Sequence, residues 1–191
     1  MTLTRVAPSV TAPSNAHAYF AASNAIAVEF FGKHADDIAR ACQSMAARFR
    51  KGGRLLVCGE GAQRSDVAHV VVEFLHPVVV GKRALPAIAL SGESARDAAA
   101  HFDTFARAED ILLVLCASAL DARLSELVAA AAVRGVLTVV LSGDGDESRA
   151  ADHAFAVPSR DVCIVQETHE MLYHILWELT HVFLDHRGSE A

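Results

Sequence analysis

The sequence is short of four things, and each shortage narrows its reading. No stretch reaches the ~18 to 20 consecutive apolar residues that a membrane-spanning helix needs, and the opening segment MTLTRVAPSVTAPSNAHAYF lacks the apolar core of a secretion signal. The expected location is therefore the cytoplasm. Basic residues are scattered rather than clustered, and 17 Lys and Arg against 23 Asp and Glu leave a net charge of −6. Nucleic-acid binding rests on basic patches that release counterions, so no direct nucleic-acid partner is expected. The four cysteines, Cys42, Cys58, Cys116 and Cys163, form no C-x-x-C pair and read as reduced thiols. Cys116 ends an apolar run and is expected to be a small buried hydrophobe. Aromatic residues make up only 6% of a chain that is 52% hydrophobic. A core built mainly from Ala, Val and Leu suits helices lying close on a buried parallel sheet.

A chain of 191 residues can bury one core, and a single domain over residues 15–188 is expected. Residues 1–14, with two Pro and several Ser and Thr, read as a flexible arm. From Ala16 to about Arg50 apolar residues recur at helical spacing in two segments, with Gly32 near the break, which predicts two N-terminal helices. Five short apolar runs follow: RLLVCG (54–59), PAIAL (86–90), ILLVLC (111–116), VLTVVL (136–141) and HAFAVP (153–158). Such runs, bounded by turn residues and separated by helix-compatible stretches, are the mark of strands buried on both faces. The expected fold is α/β, a three-layer doubly wound sandwich around a five-stranded parallel sheet. After Pro158, Ser159 and Asp161 can cap a long apolar helix from about Cys163 to Asp185, closing at Arg187 and Gly188.

In open parallel sheets ligands sit beyond the carboxyl ends of the strands, so the loops there are the first places to look. The loop GEGAQRSD (59–66) carries Gly61, Gln63 and Arg64. Its glycines let backbone amides face an anion at the start of the next helix, although Glu60 opposes a phosphate unless Arg64 offsets it. An ordinary tight turn is the alternative. The loop ASALDA (117–122) offers Ser118 but no glycine, and reads as a plain helix start.

On the helix after the first loop, His69 and Glu73 stand four residues apart and share a face. They can bind one metal ion or simply pair with each other. The surrounding VAHVVVEFL is otherwise apolar, so both ionisable groups need partners. The last helix adds Gln166, His169, Glu170 and His174. Spacing favours Glu170 with His174 over Gln166, whose neutral amide is a poorer ligand for zinc-like ions. A polar face toward solvent or a neighbouring subunit is the competing reading, and for Glu170 the preferred one. His181 and His186 are expected on the exposed surface.

The segments GEGAQRSDVAHVVVEF, LPAIAL, EDILLVLCAS and VPSRDVCIVQETHEMLYHILWEL, in that order, resemble a phosphoheptose isomerase of the SIS-domain superfamily. The resemblance extends from about Ala16 to Leu184. It implies aldose–ketose interconversion of a sugar phosphate, a homotetramer with sites at subunit contacts, and a Zn2+ site formed by His69, Glu73, Gln166 and His174. The resemblance thus selects Gln166 where spacing favours Glu170. It assigns proton transfer between C1 and C2, through an enediol, to Glu73 as base and His174 as acid. Gly61, Gln63, Arg64, Ser118, Asp161 and Gln166 become the candidates for substrate contact. The chain departs from the family pattern in its phosphate loops: Ala62 and Gln63 stand for a glycine and a serine, Glu60 for an asparagine, and Ser118 is what is left of a hydroxyl-rich loop. A sugar without the usual phosphate therefore belongs to the expected substrates. A non-catalytic SIS module, a sugar-phosphate sensor or a scaffold of the replication-initiator-associating type, is the alternative. A purely structural metal at a subunit junction is a third.

Overall fold

The computed structural model describes residues 15–77, 79–90, 95–145 and 150–186. The expected N-terminal arm and the closing residues 187–188 lie outside the described residues. The five apolar runs form strands β1 (Leu55–Gly59), β2 (Ala87–Ala89), β3 (Ile111–Leu115), β4 (Leu137–Ser142) and β5 (His153–Ala156). They pair in the order β2-β1-β3-β4-β5, every pair parallel.

Alternation along each strand sorts the core into two layers. Leu55 and Val57 of β1, Ile111 and Leu113 of β3, and Val139 and Leu141 of β4 belong to one cluster. Leu56 and Cys58, Leu112 and Val114, and Val140 belong to the other. Each fully buried aliphatic side chain contributes on the order of 1.5–3 kcal/mol. A one-residue slip would exchange the two sets, so the register is strongly held.

Helices α2 (Arg64–Leu75), α3 (Ala95–Phe105) and α4 (Ala122–Val133) connect the strands, and α5 (Val162–His186) closes the fold. The α1 and α5 helices pack against each other on the face that α2 also covers. The Asp161 side chain accepts the Cys163 amide at 2.9 Å and Ser159 Oγ accepts the Asp161 amide at 3.1 Å, as expected for the start of α5. Among the described residues no helix is long and apolar enough to cross a membrane.

Two expectations are corrected here. The N-terminal region is one helix, α1 (Ala16–Arg50), of 35 residues, running unbroken through Gly32. Its buried residues Ala27, Phe30, Ile38, Ala41, Cys42, Met45 and Phe49 keep helical spacing across the glycine. Packing of that stripe outweighs the ~1 kcal/mol that an interior glycine costs. His181, expected at the surface, is only 1% exposed. Its ring lies between two backbone carbonyls, with Nδ1 2.9 Å from Trp177 O and Nε2 3.0 Å from Arg83 O. The imidazole thus ties α5 to the segment before β2, a partner that sequence spacing does not show. The side chain of His186 lies outside the described residues.

Candidate active site

The strand order reverses between β1 and β3, and in such sheets the crevice at the carboxyl ends of the diverging strands is the natural ligand site. The loop after β1 folds into a single 3-10 turn, Gly61–Gln63, that runs directly into α2. Gly61 has φ +57°, a left-handed conformation that glycine adopts without strain. The loops after β3 and β4 are drawn together at Gly143, where an added Cβ would lie 2.3 Å from the carbonyl oxygen of Ala117.

The α2 and α5 helices bring four ionisable side chains to one place. Candidate donor atoms of His69, Glu170 and His174 all lie within 4.8 Å of one another. Glu73 stands beside them, its Oε1 3.4 Å from His69 Nε2 and 4.0 Å from His174 Nε2. Glu170 Oε1 is 3.7 Å from His69 Nδ1, so this carboxylate faces the cluster even though its side chain is half exposed. The Tyr173 hydroxyl lies 2.8 Å from His69 Nδ1 and fixes the ring by that edge. Burial, followed by the carboxylates of Glu170, Asp66 and Glu73, pushes the Tyr173 phenol up, so it stays a neutral partner at ordinary pH. Two imidazoles and two carboxylates converging from two rigid helices match the N and O donors that zinc and similar ions take.

Gln166 lies one turn before Glu170 on α5, but its amide nitrogen is engaged elsewhere. Nε2 donates to Asp66 Oδ1 at 3.0 Å and to Ser65 Oγ at 3.4 Å. Asp66 is buried, and that burial raises its pKa against the lowering effect of the Gln166 hydrogen bond.

Gln63 is buried beneath the loop, with Oε1 3.3 Å from His169 Nδ1, so its side chain supports the loop from below. On its other edge His169 Nε2 lies 3.2 Å from Ser142 O. Burial drives the His169 pKa down to about 4, so the ring is neutral at pH 7 and one nitrogen donates while the other accepts. If Nε2–H donates to Ser142, Nδ1 must accept. The amide ends of Gln63 are alike in shape, and turning the amide over gives its otherwise unpartnered nitrogen that role. His169 is thereby a pin joining α5, β4 and the first loop.

The remaining candidates are not buried. Gly61, Arg64, Ser118 and Asp161 are exposed. The Asp121 side chain accepts the Leu124 amide at 2.8 Å and caps α4, as a plain helix start requires. Cys116 is buried, its Sγ 3.6 Å from Leu141 O, in keeping with a small core residue. A groove of about 530 Å³ opens between α1 and α5, lined in part by Tyr19, Phe20, Ser23, Glu170, Met171 and His174. At its wall Ser23 Oγ donates to Glu167 Oε2 at 2.5 Å. Sequence reasoning missed Asp66, Tyr173 and Glu167. Asp66 precedes His69 by three residues and Tyr173 precedes His174, so adjacency was a usable signal for those two; the Ser23–Glu167 contact spans too much sequence to show.

A parallel five-stranded sheet with this switch point and a His/Glu cluster between two flanking helices defines an α/β module of the sugar-isomerase kind. The SIS domain family matches residues 18–143. The curated phosphoheptose isomerase of Halorhodospira halophila is 33% identical over 162 residues, covering 76% of this chain and 82% of its own. That of Solidesulfovibrio magneticus is 28% identical over 186 residues, covering 91% and 89%. The solved phosphoheptose isomerase from Francisella tularensis superposes with a TM-score of 0.75 at 25% identity, covering 86% of this chain and 95% of its own. The chain belongs to the SIS domain family and, within it, to the phosphoheptose isomerases, so it is an isomerase by class.

Proposed function

We propose that the chain is a metal-dependent aldose–ketose isomerase for a sugar or sugar phosphate, and that His69, Glu73, Gln166 and His174 hold its zinc-like ion. The observation that carries this reading is the convergence of His69, Glu170 and His174 donor atoms within 4.8 Å, with Glu73 alongside. Glu170 adds an oxygen donor to the same set. Glu73 takes the proton from the carbon beside the carbonyl and returns it to the former carbonyl carbon. His174 gives a proton to the carbonyl oxygen as the enediol forms and takes one back from the neighbouring hydroxyl as it collapses, so the protons balance. A bound divalent ion supplies Lewis acidity toward the sugar oxygens. Gly61, Arg64, Ser118 and Asp161 face the substrate at the rim, and Gln166 orients it near the metal. Arg64 meets the phosphate of a phosphorylated substrate, and the changed loops also admit an unphosphorylated sugar. A homotetramer completes the site by covering the groove between α1 and α5, which leaves Phe20 70% exposed in the single chain.

The test is metal analysis of the purified protein with His69→Ala as control, joined to an isomerisation assay over sugars and sugar phosphates. One ion per chain, lost in the variant, together with turnover of at least one substrate is the expected result. Bound metal with no turnover across the panel would overturn the enzymatic reading.

A further inference from the structure

Among the carboxylates around this site, Asp66 is the one withdrawn from solvent. It is 5% exposed, whereas the Glu73 and Glu170 side chains are 19% and 49% exposed. Oδ1 accepts from Gln166, and Oδ2 is buried with no partner. Burying a carboxylate without full hydrogen bonding costs several kcal/mol, so packing alone gives no reason to keep an acid here. Ser65 points the same way. Its hydroxyl proton is given to Ala62 O at 2.8 Å, which leaves its oxygen as an acceptor toward Gln166. Two acceptors from one turn of α2 thus converge on a single amide nitrogen.

A primary amide has a donor end and an acceptor end of nearly the same shape, and packing cannot tell them apart. Acceptors at one end can. Gln166, Glu170 and His174 follow each other at four-residue intervals on α5 and share a face. We infer that Asp66 is a positioning residue: with Ser65 it holds the Gln166 nitrogen and so presents the Gln166 carbonyl oxygen to the His69, Glu170 and His174 cluster as an oxygen ligand. The inference rests on the metal reading proposed above. Outer partners of this kind typically change metal affinity by about 10–100-fold when altered.

The test is Co2+ titration of the full chain, read by visible absorption, for wild type, Asp66→Asn, Gln166→Glu and the double variant, with thermal midpoints as a folding control. In Asp66→Asn the new amide can donate to the Gln166 oxygen and invert it, so Co2+ affinity falls about 10–100-fold and the absorption bands shift. Gln166→Glu sets two carboxylates face to face and also weakens binding. The double variant lets the amide at position 66 donate to the carboxylate at position 166, and most of the lost affinity returns. That rescue is what a merely structural role would not produce, and it is read against Gln166→Glu even if Asp66→Asn alone fails to fold. Wild-type affinity and spectrum in Asp66→Asn, or a double variant no better than Gln166→Glu, would overturn the inference while leaving the metal reading intact. A wild-type protein that takes up no Co2+ overturns both.

Discussion

Glu73 occupies a position that neither a solvated surface acid nor a core residue would share. Its side chain is 19% exposed, and Oε1 faces the Nε2 atoms of two histidines at 3.4 and 4.0 Å. The neighbouring His69 ring is held from its far edge by Tyr173, so its orientation is set before any ligand arrives. In the proposed role of general base, a carboxylate contributes about 10²–10⁴-fold to a proton transfer. Glu73→Gln keeps the volume and removes the base proposed above. In an aldose–ketose assay it is expected to lower kcat by about that factor and to move KM much less. Equal losses through KM alone would mean that Glu73 binds substrate without moving its proton.

At the scale of elements, α1 and α5 decide how the site is framed, and Gly32 is the weak point of α1. It is exposed, lies inside the helix, and an added Cβ would meet nothing within 4 Å. Gly32→Ala is therefore expected to raise stability by about 0.5–1 kcal/mol in urea unfolding, since alanine loses less backbone entropy. A destabilised variant would show that the helix bends at this position. The same glycine explains where sequence reading fell short. The strands were legible because runs such as ILLVLC must be buried on both faces, and the structure places them within two residues of expectation. The single α1 helix was harder to see, because a glycine signals a break locally while the stripe from Ala27 to Phe49 is continuous only when counted across it. Spacing also named His69 and Glu73 as a pair and set Glu170 with His174, although a polar face toward solvent or a subunit is the preferred reading for Glu170; these four side chains do meet. The buried position of Asp66, the pinning of His169 and the tie from His181 to Arg83 depend on partners 27 to 106 residues away, which no local pattern encodes.

The whole molecule is stapled on one side by charge and left open on another by apolar surface. Asp110 is buried and accepts from Arg54 Nη2 at 2.6 Å, from the Arg54 amide at 2.9 Å and from the Arg107 amide at 2.9 Å, joining the start of β1 to the approach to β3. Burial alone would raise its pKa, but the Arg54 side chain and these amides outweigh it and hold the carboxyl below its usual range. With the folded value depressed, the unfolded chain binds more protons in that window. The contribution is present above about pH 4 and lost as pH falls through the folded value. Asp110→Asn is expected to cost about 3 kcal/mol at pH 7 and progressively less below pH 4, read by urea unfolding at each pH. The open side lies along α1, where Phe20 and Val28 are 70% and 66% exposed, next to Met171 of α5 at 39%. Phe20 and Val28 are eight residues apart on one helix and share a face beside the groove that reaches His174. Apolar surface gathered beside a groove marks a contact site. If that contact is a second copy of the chain, as the proposed tetramer requires, light scattering should give the mass of four chains for wild type. Phe20→Glu would bury a charge in the interface and shift the mass toward smaller species, with the loss of activity following the loss of assembly. A wild-type monomer that turns over substrate would refute the tetramer and show that one chain carries a complete site.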